Sequence, residues 1–311
     1  MTTPRLSIVI LNYNTRDLLE NCLGSIQTHS PDAEPIVVDN GSADDSANLV
    51  RQKYPWARLH ASPINLGFAR GMNLGWASTT APWILALNAD TELLPATLPP
   101  LFKAASTYPH AGILGPAHLR PAGEAVPSAF PDPTLWREIA RQLFADALLA
   151  RLRLGPWQTR QGPPRQVDSL MGAALLLRRA CVSALGGFDE MSFMYGEDWD
   201  LCFRARRAGW GVLLVPEAKI IHHENAAGAT AYGPRRMAAV TRANLYFHRK
   251  HYGRASGTVL AMVTAAGSLL RILLLAIGLP LRPLVPGLRR DFAEYRYTLL
   301  ATLDSVGDRR A

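Results

Sequence analysis

The most constraining feature of this sequence is a short apolar run that stops at a carboxylate. Residues 83–87 (Trp-Ile-Leu-Ala-Leu) are followed by Asn88, Ala89 and Asp90. A short apolar run bounded by polar residues is typical of a strand buried on both faces of a parallel sheet. In open α/β sheets, ligands bind at the carboxyl ends of the strands. The pattern therefore predicts that Asp90 emerges into a cleft, where it serves chemistry instead of packing.

Strand-like and helix-like segments alternate around this run, which predicts a doubly wound, mostly parallel sheet. If the first strands are parallel, Asn14, Asp39 and Asp90 share one rim, the layout of a nucleotide-binding crevice. The glycines of 67–75 recur at every fourth residue and form no GxGxxG motif, so an NAD enzyme is not expected. Helices are predicted over 17–28, 42–53, 65–75 and 98–108, and strands over 6–11, 35–38, 57–61, 112–115, 169–178, 211–215 and 218–223.

Composition and charge narrow the class of protein. With 48% hydrophobic and 19% charged residues, the 311-residue chain is globular, with room for one large domain and an appendage. The net charge of +8 is concentrated, because residues 225–290 contain ten Lys or Arg and no Asp or Glu. A confined basic segment favours an anionic membrane surface over nucleic acid. Three cysteines without CxxC spacing predict a reducing compartment and no zinc site, and no signal peptide is expected.

The centre of the chain contains an insertion and then an acidic segment. Residues 116–168 are rich in Pro, Gly and Arg, which indicates an insertion, and 134–154 within it has amphipathic helical spacing. That helix either covers the core or faces an acceptor or a membrane. Further on, Glu197 and Asp198 are adjacent acids just before a predicted helix. Such a pair in a cleft raises the pKa of at least one carboxyl, although acids at a helix start also act as caps.

Seven segments, in order along the chain, carry a resemblance to a known family. They are IVILNYN (8–14), VVDNGS (37–42), NLGFARGMNLG (65–75), LNAD (87–90), GGFDE (186–190), GEDWDLCFR (196–204) and IIHH (220–223). With these motifs the sequence resembles a family 2 glycosyltransferase of the GT-A fold, in the bacterial rhamnosyltransferase-like branch. The resemblance implies an α/β GT-A domain over 1–225, with a mostly parallel sheet flanked by helices. A helical, membrane-associating region over 226–311 follows it.

The resemblance also implies a reaction and a donor site. A sugar leaves a nucleoside diphosphate (UDP or dTDP) while an acceptor hydroxyl attacks the anomeric carbon from the opposite face, which inverts that centre. A divalent cation, Mn²⁺ or Mg²⁺, suits the diphosphate charge. Asp39 has a second interpretation as a turn residue that binds the Ser42 N–H, and Gly67 has one in helix packing. The implied donor-binding residues are Asn14, Asp39, Asn40, Asn65, Gly67, Asn73 and Asn88.

The implied metal site starts from the Asn88-Ala89-Asp90 run, which occupies the position of the family's DxD motif. Asn88 in place of the first acid keeps an oxygen ligand and loses a charge, so the metal depends mainly on Asp90. The resemblance implies His222 as the second ligand, ahead of His223. A histidine at the end of a strand also fits a purely structural role.

The implied acceptor side is built on the acidic segment. By resemblance, Asp198 is the general base that takes the proton of the acceptor hydroxyl, and Glu197 orients either the base or the acceptor. Trp199 is expected to stack on an acceptor sugar, and Gly172 is expected to lie at the acceptor site. Capping of the following helix is compatible with all of these roles.

The C-terminal region combines a basic helix, 235–254, with the most apolar stretch of the chain, 255–281. Its longest uncharged run is shorter than the roughly 20 residues that span a bilayer, and Arg271 lies in its middle. Ala261, Thr264, Ser268 and Arg271 fall on one helical face, so we predict a helix lying in the plane of the membrane surface. The alternatives are a helix packed on the domain or on a second subunit, and a true span.

Together these patterns predict an inverting transferase that moves rhamnose or another hexose to a cell-envelope glycan or polyprenyl-linked acceptor. The predicted location is the cytoplasm, at the inner face of the membrane, and a homo-oligomer remains open. One alternative is a nucleotidyltransferase, which shares the nucleotide rim but has no need of Asp198. The other is a catalytically silent protein that binds nucleotide sugars or acts as a scaffold, against which the intact Asp39, Asp90 and Asp198 argue.

Overall fold

The computed structural model describes residues 5–142, 162–191, 193–223, 233–278 and 288–307. Its strands, in chain order, are β1 (Leu6–Asn12), β2 (Glu34–Asp39), β3 (Arg58–Ala61), β4 (Trp83–Asn88), β5 (Thr91–Leu93), β6 (Ala111–Leu119), β7 (Ala125–Val126), β8 (Ala129–Phe130), β9 (Arg165–Gln166), β10 (Ser169–Leu170), β11 (Ala174–Arg178) and β12 (Gly211–His222). Its α-helices are α1 (Arg16–His29), α2 (Ser46–Lys53), α3 (Phe68–Ala77), α4 (Leu98–Thr107), α5 (Leu135–Gln142), α6 (Arg179–Leu185), α7 (Glu197–Arg207), α8 (Arg236–Tyr252), α9 (Arg254–Gly278) and α10 (Leu288–Gly307).

The described residues divide into two compact units. The sheet unit comprises the residues up to 132, the described part of 162–193, and 197–223. The helical unit comprises 133–142, 194–196, 233–278 and 288–307. The predicted boundary at 225/226 lies outside the described residues.

The sheet unit is organised by one large mixed sheet with the strand order β3-β2-β1-β4-β11-β6-β12-β5. β1, β2, β3 and β4 are parallel, and β12 is parallel to β6. β11 is antiparallel to both of its neighbours, and β5 is antiparallel to β12. The predicted mostly parallel α/β sheet is confirmed, and the carboxyl ends of β1, β2 and β4 share one edge.

Both faces of this sheet are buried, because successive residues of one strand enter different cores. Ile8 and Ile10 pack in one hydrophobic cluster with α1, whereas Val9 packs in the other with α3. The apolar face predicted for the first helix is confirmed, since its inward residues are fully buried. Those residues are Leu19, Cys22, Leu23 and Ile26. Cys22, Cys181 and Cys202 are buried free thiols.

Three predicted segments differ from the structure, each for a local reason. The strand predicted over 169–178 is broken, because Met171 to Ala173 leave the extended path between β10 and β11. The helix predicted from Ser42 begins only at Ser46, since Asp45 has a φ of 67° and the Asp44 side chain binds the Ser46 amide in a turn. The strands predicted over 211–215 and 218–223 are one strand, β12, with an irregular register between Val215 and Lys219.

The helical unit consists of α5 and the three C-terminal helices. By length and composition, its helix α9 could cross a membrane, since an 18-residue window within Arg254–Ala276 has a mean hydropathy of 2.1. The predicted basic helix is present as α8, and the predicted apolar helix as α9. Of the helix predicted over 134–154, the structure describes α5, and the part after Gln142 lies outside the described residues. The last residues of the predicted apolar stretch, 279–281, also lie outside them.

Candidate active site

The first group of polar residues lies where β1 and β2 end side by side. Asn12 donates from Nδ2 to Asp39 Oδ1 at 2.8 Å, and the Ser42 amide donates to Asp39 Oδ2 at 3.2 Å. The predicted turn role of Asp39 is therefore present, and only 2% of the residue is exposed. Asn14 joins the same turn, because its Oδ1 accepts the Ala43 amide at 2.7 Å. Asp39 and Asn14 are brought together as predicted, and their donor-binding roles stay predictions.

Asn40, Asn65 and Gly67 form a second network beside the first. Asn40 donates to Asn65 Oδ1 at 2.9 Å and to the Gly67 carbonyl at 3.1 Å, while its Oδ1 accepts the Leu66 amide at 2.8 Å. Gly67 has a φ of 82°, and a Cβ there would come 2.5 Å from the Phe193 carbonyl oxygen. Only glycine fits this position. The network holds the start of α3 at the rim of the sheet.

Asn73 lies inside α3 and holds a different part of the chain. Its Nδ2 donates to the Phe188 carbonyl and to Glu190 Oε1, each at 2.9 Å. Its Oδ1 accepts the Phe188 amide at 2.9 Å and the Trp76 indole N–H at 3.2 Å. With Arg70 paired to Glu190 at 3.2 Å, this amide fastens the loop over 186–190 to α3. The structure thus gives Asn73 a loop-holding role in addition to the donor contact predicted for it.

The end of β4 carries oxygen atoms that lack partners. Asn88 Oδ1 and Asp90 Oδ1 are buried without a hydrogen-bond partner, as is His222 Nδ1. Asp90 Oδ1 lies 3.5 Å from His222 Nε2, and the Asp90 carbonyl accepts the His223 amide at 2.9 Å. Buried polar atoms are normally paired, and a carboxylate oxygen beside an imidazole is a combination that divalent cations bind. The described residues contain no group of three or more His, Cys, Asp or Glu placed to hold a metal ion, so Asp90 and His222 fit such a cation as a pair and their metal-binding role stays a prediction.

The same part of the structure contains a histidine that the sequence reasoning missed. His118 is 1% exposed, and its ring packs edge-on against His222 with 5.4 Å between centroids. Burial, reinforced by His222, lowers the pKa of His118 to about 3, so its imidazole is neutral. The predicted strand ended at Gly115, whereas β6 continues to Leu119. No local sequence pattern indicates this position of His118, because it depends on the pairing of His118 with Ile220 between β6 and β12.

The acid pair opens α7 and is held by backbone amides. Asp198 Oδ2 accepts the Gly172 amide at 3.0 Å, and Oδ1 accepts the Trp199 amide at 2.9 Å. Burial raises the pKa of Asp198 above its usual range, while these two hydrogen bonds lower it. Glu197 is buried and its Oε2 has no hydrogen-bond partner. Its pKa is raised mainly by burial and, to a smaller extent, by the negative charge of Asp198. Burial thus raises the pKa of both carboxyls, and only Asp198 has backbone amides that oppose this shift at both of its oxygens.

One loop joins the β4 end to the acid pair. The Asn88 amide donates to the Ala173 carbonyl at 2.9 Å, and the adjacent Gly172 amide donates to Asp198. A Cβ on Gly172 would lie 3.2 Å from Asp198 Cβ, so glycine permits this close approach. The break between β10 and β11 therefore brings the residues predicted for the leaving-group side and the acceptor side to one edge of the sheet. Trp199 follows directly and is partly exposed there.

Two family models match this chain. The model described as glycosyl transferase family 2 matches residues 7–134, and the model described as glycosyl transferase family group 2 matches residues 83–281. A curated relative from Mycobacterium tuberculosis, N-acetylglucosaminyl-diphospho-decaprenol L-rhamnosyltransferase, is 34% identical over 241 residues. That alignment covers 71% of this chain and 77% of the relative.

Solved structures match the fold. A mannosyltransferase from Pyrobaculum calidifontis, in complex with GDP-Man and Mn²⁺, superposes with a TM-score of 0.55 at 18% identity, covering 100% of this chain and 89% of its own. GalNAc-T7 with UDP, GalNAc and Mn²⁺ superposes with a TM-score of 0.56 at 16% identity, covering 79% of this chain and 51% of its own. These likenesses confirm the predicted GT-A fold.

Proposed function

Because this chain belongs to glycosyl transferase family 2 and is a glycosyltransferase, we propose that it inverts the anomeric centre of a sugar that it moves from a nucleoside diphosphate to a lipid-linked glycan. The observation that carries this proposal is the shared loop, which ties the Asn88 amide and the Asp198 carboxylate through two adjacent residues, Ala173 and Gly172. A donor site and a base on opposite sides of one loop suit a single displacement, which inverts the centre.

Asp198 is the proposed general base. Each of its oxygens accepts one backbone amide and retains a lone pair, so the acceptor hydroxyl can donate to one of them. The hydroxyl oxygen then bonds to the anomeric carbon as the bond to the diphosphate oxygen breaks, and the proton passes to Asp198. Positioned bases of this kind typically contribute about 10²- to 10⁴-fold in rate. Trp199, next in the chain, is the proposed surface for the acceptor sugar.

Glu197 and the β4 end have complementary proposed roles. Glu197, protonated because its pKa is raised, adds no second charge beside the base and leaves Asp198 as the acceptor of the proton. Asp90 and His222 would hold a divalent cation, with Asn88 Oδ1 as a further oxygen donor. When bound, such a cation supplies positive charge for the departing diphosphate. Asn14, Asp39, Asn40, Asn65 and Gly67 are the proposed rim for the nucleoside.

The substrates are proposed from the relatives. The name of the mycobacterial relative gives L-rhamnose as its sugar and a polyprenyl diphosphate sugar as its acceptor. We propose a dTDP- or UDP-linked deoxyhexose or hexose as donor, and a polyprenyl-linked glycan as acceptor. An acceptor of this kind lies in the membrane, so the proposed location is the cytoplasmic membrane surface, where the basic helical unit meets anionic lipid.

Of the two alternatives from the sequence, neither has a supporting observation in the fold. A nucleotidyltransferase leaves the amide-held Asp198 without a role, and membership of a glycosyltransferase family disfavours it. A silent binding protein has no need of orphaned polar atoms at the metal side or of a carboxylate held by two amides.

The test is a donor screen on the full chain with a polyprenyl diphosphate N-acetylglucosamine acceptor. UDP-, dTDP- and GDP-sugars are compared by nucleotide release and product mass, with Mn²⁺, with Mg²⁺ and with EDTA. We expect turnover with one donor class, and the product should have the opposite anomeric configuration. Product that retains the donor configuration would overturn the proposed single displacement.

The matched variants are Asp198→Asn and Asp17→Asn. Asp198→Asn removes the base and keeps one of the two amide hydrogen bonds, because its Nδ2 donates and cannot accept the other, so kcat should fall about 10²-fold or more. Asp17 has 89% of its side chain exposed on α1, so its amide variant should turn over at the unchanged rate. Unchanged kcat in Asp198→Asn would show that the base is another residue.

A further inference from the structure

The outward face of α9 is strongly apolar. Its most exposed large side chains recur at helical spacing, with exposed fractions between 48% and 59%. They are Met262, Leu269, Leu270, Leu273 and Leu274. A contiguous apolar face of this kind on a soluble monomer marks an interaction surface.

The inward face of α9 has the opposite character. Apart from Leu260, which is 1% exposed and packs with Leu245, the residues of this face are mostly small or carry hydroxyls, with Thr264 5% and Ser268 1% exposed. Gly257, Ala261 and Gly267 are buried on the same face. Helices that pack in hydrocarbon meet through such small and hydroxyl-bearing residues. Lipid tails are as apolar as leucine, so no hydrophobic effect drives leucine side chains into the helix interface.

Helix α10 repeats this reversal independently. Thr298, Ala301 and Thr302 are buried, whereas Leu300 is 47% and Leu303 54% exposed. The Thr302 hydroxyl donates to the Thr298 carbonyl of its own helix at 2.8 Å. Leucines therefore lie outward and hydroxyls inward on both helices, but the outward face of α10 also carries the exposed Arg296 and Asp304, so only that of α9 is continuously apolar.

The charge in the middle of α9 also faces inward. Arg271 Nη1 donates to Gln142 Oε1 at 2.9 Å, and Nη2 donates to the Arg141 carbonyl at 3.2 Å. Its guanidinium lies over the Tyr295 ring at 5.5 Å from the centroid. Arg271, whose charge disfavours a spanning helix in the sequence, is thus hydrogen-bonded inside the unit, away from the leucine face.

We propose that the outward leucine face of α9 inserts into the hydrocarbon of an anionic membrane, on one side only. The insertion is one-sided because α8, which packs on α9, carries Arg242, Arg249 and Lys250, and a spanning position would take these charges into the bilayer. The ten basic residues over 225–290 supply the attraction to anionic headgroups. This proposal rests on the membrane-surface location proposed above, and it adds which side chains enter the hydrocarbon layer.

The depth is measured with a fluorophore whose emission lipid can quench. Leu273→Cys on the outward face of α9 and Met237→Cys, at an exposed position of α8, are each labelled with NBD, and Leu74→Cys, at an exposed leucine of α3, is the control. The labelled full chains are mixed with phosphatidylglycerol and phosphatidylethanolamine vesicles that carry brominated acyl chains. Cys22, Cys181 and Cys202 are buried, so labelling of the native protein selects the new thiol.

The proposal expects acyl-chain quenching at position 273 and none at positions 237 and 74. Quenching at none of the three positions, or equally at 237 and 273, would overturn it. A second chain is the competing occupant of this face. If vesicle-free protein is a dimer that shields the label at 273 and stays dimeric on vesicles, the face is a subunit interface and the proposal is wrong.

Affinity for vesicles provides the second measurement. The double variant Leu269→Asn with Leu273→Asn changes only exposed side chains and should fold, and Leu74→Asn is its matched control. At about 0.5 M NaCl, where headgroup attraction is screened, the double variant should partition about tenfold more weakly than wild type. Equal partitioning of the double variant and the wild type, or loss of wild-type binding at this salt concentration, would show that the protein binds vesicles through surface charge alone, and the proposal would be wrong.

Catalytic activity is measured separately from vesicle binding, so that a failure of the proposed function can be distinguished from a failure of the proposed membrane insertion. With a water-soluble acceptor analogue, the double variant should release nucleotide at the wild-type rate, because the substituted residues lie outside the sheet unit. A wild-type chain that inserts in vesicles but turns over no donor would refute the proposed function and leave the insertion standing.

Discussion

The sheet unit and the helical unit sort their side chains in opposite ways. In the sheet unit, Leu85, Leu87 and Leu176 are fully buried, and apolar residues fill both faces of the sheet. In the helical unit, Thr264 and Thr302 are buried while leucines of the same helices face outward. A periodic pattern tells which residues share a face, but the surrounding solvent decides which face turns inward. The sheet unit buries its leucines as a domain in water does, whereas α9 has the reversed pattern on which the proposed contact with lipid rests.

The polar contacts of the two units differ as well. Buried polar side chains of the sheet unit join segments far apart in sequence, as Asn73 joins α3 to the loop at Phe188. Hydroxyls of α10 bind carbonyls one turn earlier in the same helix, as Thr302 binds Thr298. Polar groups therefore specify tertiary structure in the sheet unit and are merely satisfied in α10.

The largest expected effect comes from one substitution made in both units. Leu176→Ala, at a fully buried site on β11, should lower the free energy of unfolding by about 2–5 kcal/mol, because it leaves a cavity in the sheet core. Leu274→Ala on α9, where the side chain is 53% exposed, should cost no more than about 0.5 kcal/mol in water. Urea denaturation followed by tryptophan fluorescence measures both. Equal costs would mean that the outward leucines of α9 are packed after all.

A pH-dependent effect should follow from the buried Glu197. Because its folded pKa is raised above 4.5, the folded state keeps a proton that the unfolded chain releases, so this contribution is full below pH 4.5 and is lost as pH rises. The loss is at most about 1.4 kcal/mol per pH unit. Glu197→Gln cannot ionise, so its Tm relative to wild type should increase as pH rises through this window. Parallel pH profiles of Tm would show that Glu197 is ionised when folded, and Asp17→Asn controls for surface charge.

Much of the sheet unit was predictable because strand ends are marked by abrupt changes in polarity. The run from Trp83 to Asp90 correctly predicted a buried strand with a carboxylate at its end, and Asp90 does lie beside His222 at 3.5 Å. The break at Gly172 was missed, because SLMGAALLLR reads as one continuous apolar strand. Pairing of Ala174 with Leu87 in an antiparallel register decides where β11 begins, and no local pattern encodes that choice.

The features that the sequence did not predict arise from contacts distant in sequence. The donor contact of Asn73 stays a prediction, whereas its hold on a loop more than a hundred residues later was not predicted from its motif. His118 was missed because the β-strand signal fades after Gly115. In the helical unit, the shared face of Thr264, Ser268 and Arg271 was predicted, but its inward orientation depends on Gln142 and Tyr295.

Asn73→Asp tests whether this long-range contact matters for catalysis. The substitution removes the amide donor to the Phe188 carbonyl and places a charge beside Glu190. The loop leading towards Glu197 should shift, so kcat should fall about 10- to 100-fold, while the Kd of the donor nucleotide stays within about twofold. Initial rates and calorimetry separate the two constants. A rise in the nucleotide Kd at constant kcat would instead support the donor contact predicted from the sequence. The control is Asn48→Asp, at an exposed position of α2.

The smallest effects should come from removing one buried hydroxyl in each unit. Ser7→Ala removes a hydroxyl that donates to Glu34 Oε2 at 2.7 Å and contacts Thr79 Oγ1 at 2.7 Å, and it should cost about 1–2 kcal/mol because both partners lose a bond in a buried site. Thr302→Val keeps the shape, and the Thr298 carbonyl retains its bond from the helix backbone, so the cost should stay within about 0.5 kcal/mol. Hydrogen exchange of β1 and α10, read by mass spectrometry, reports each unit separately. A larger cost for Thr302→Val than for Ser7→Ala would mean that the hydroxyls of α10 specify its packing, and the contrast drawn between the two units would then fail for their polar groups.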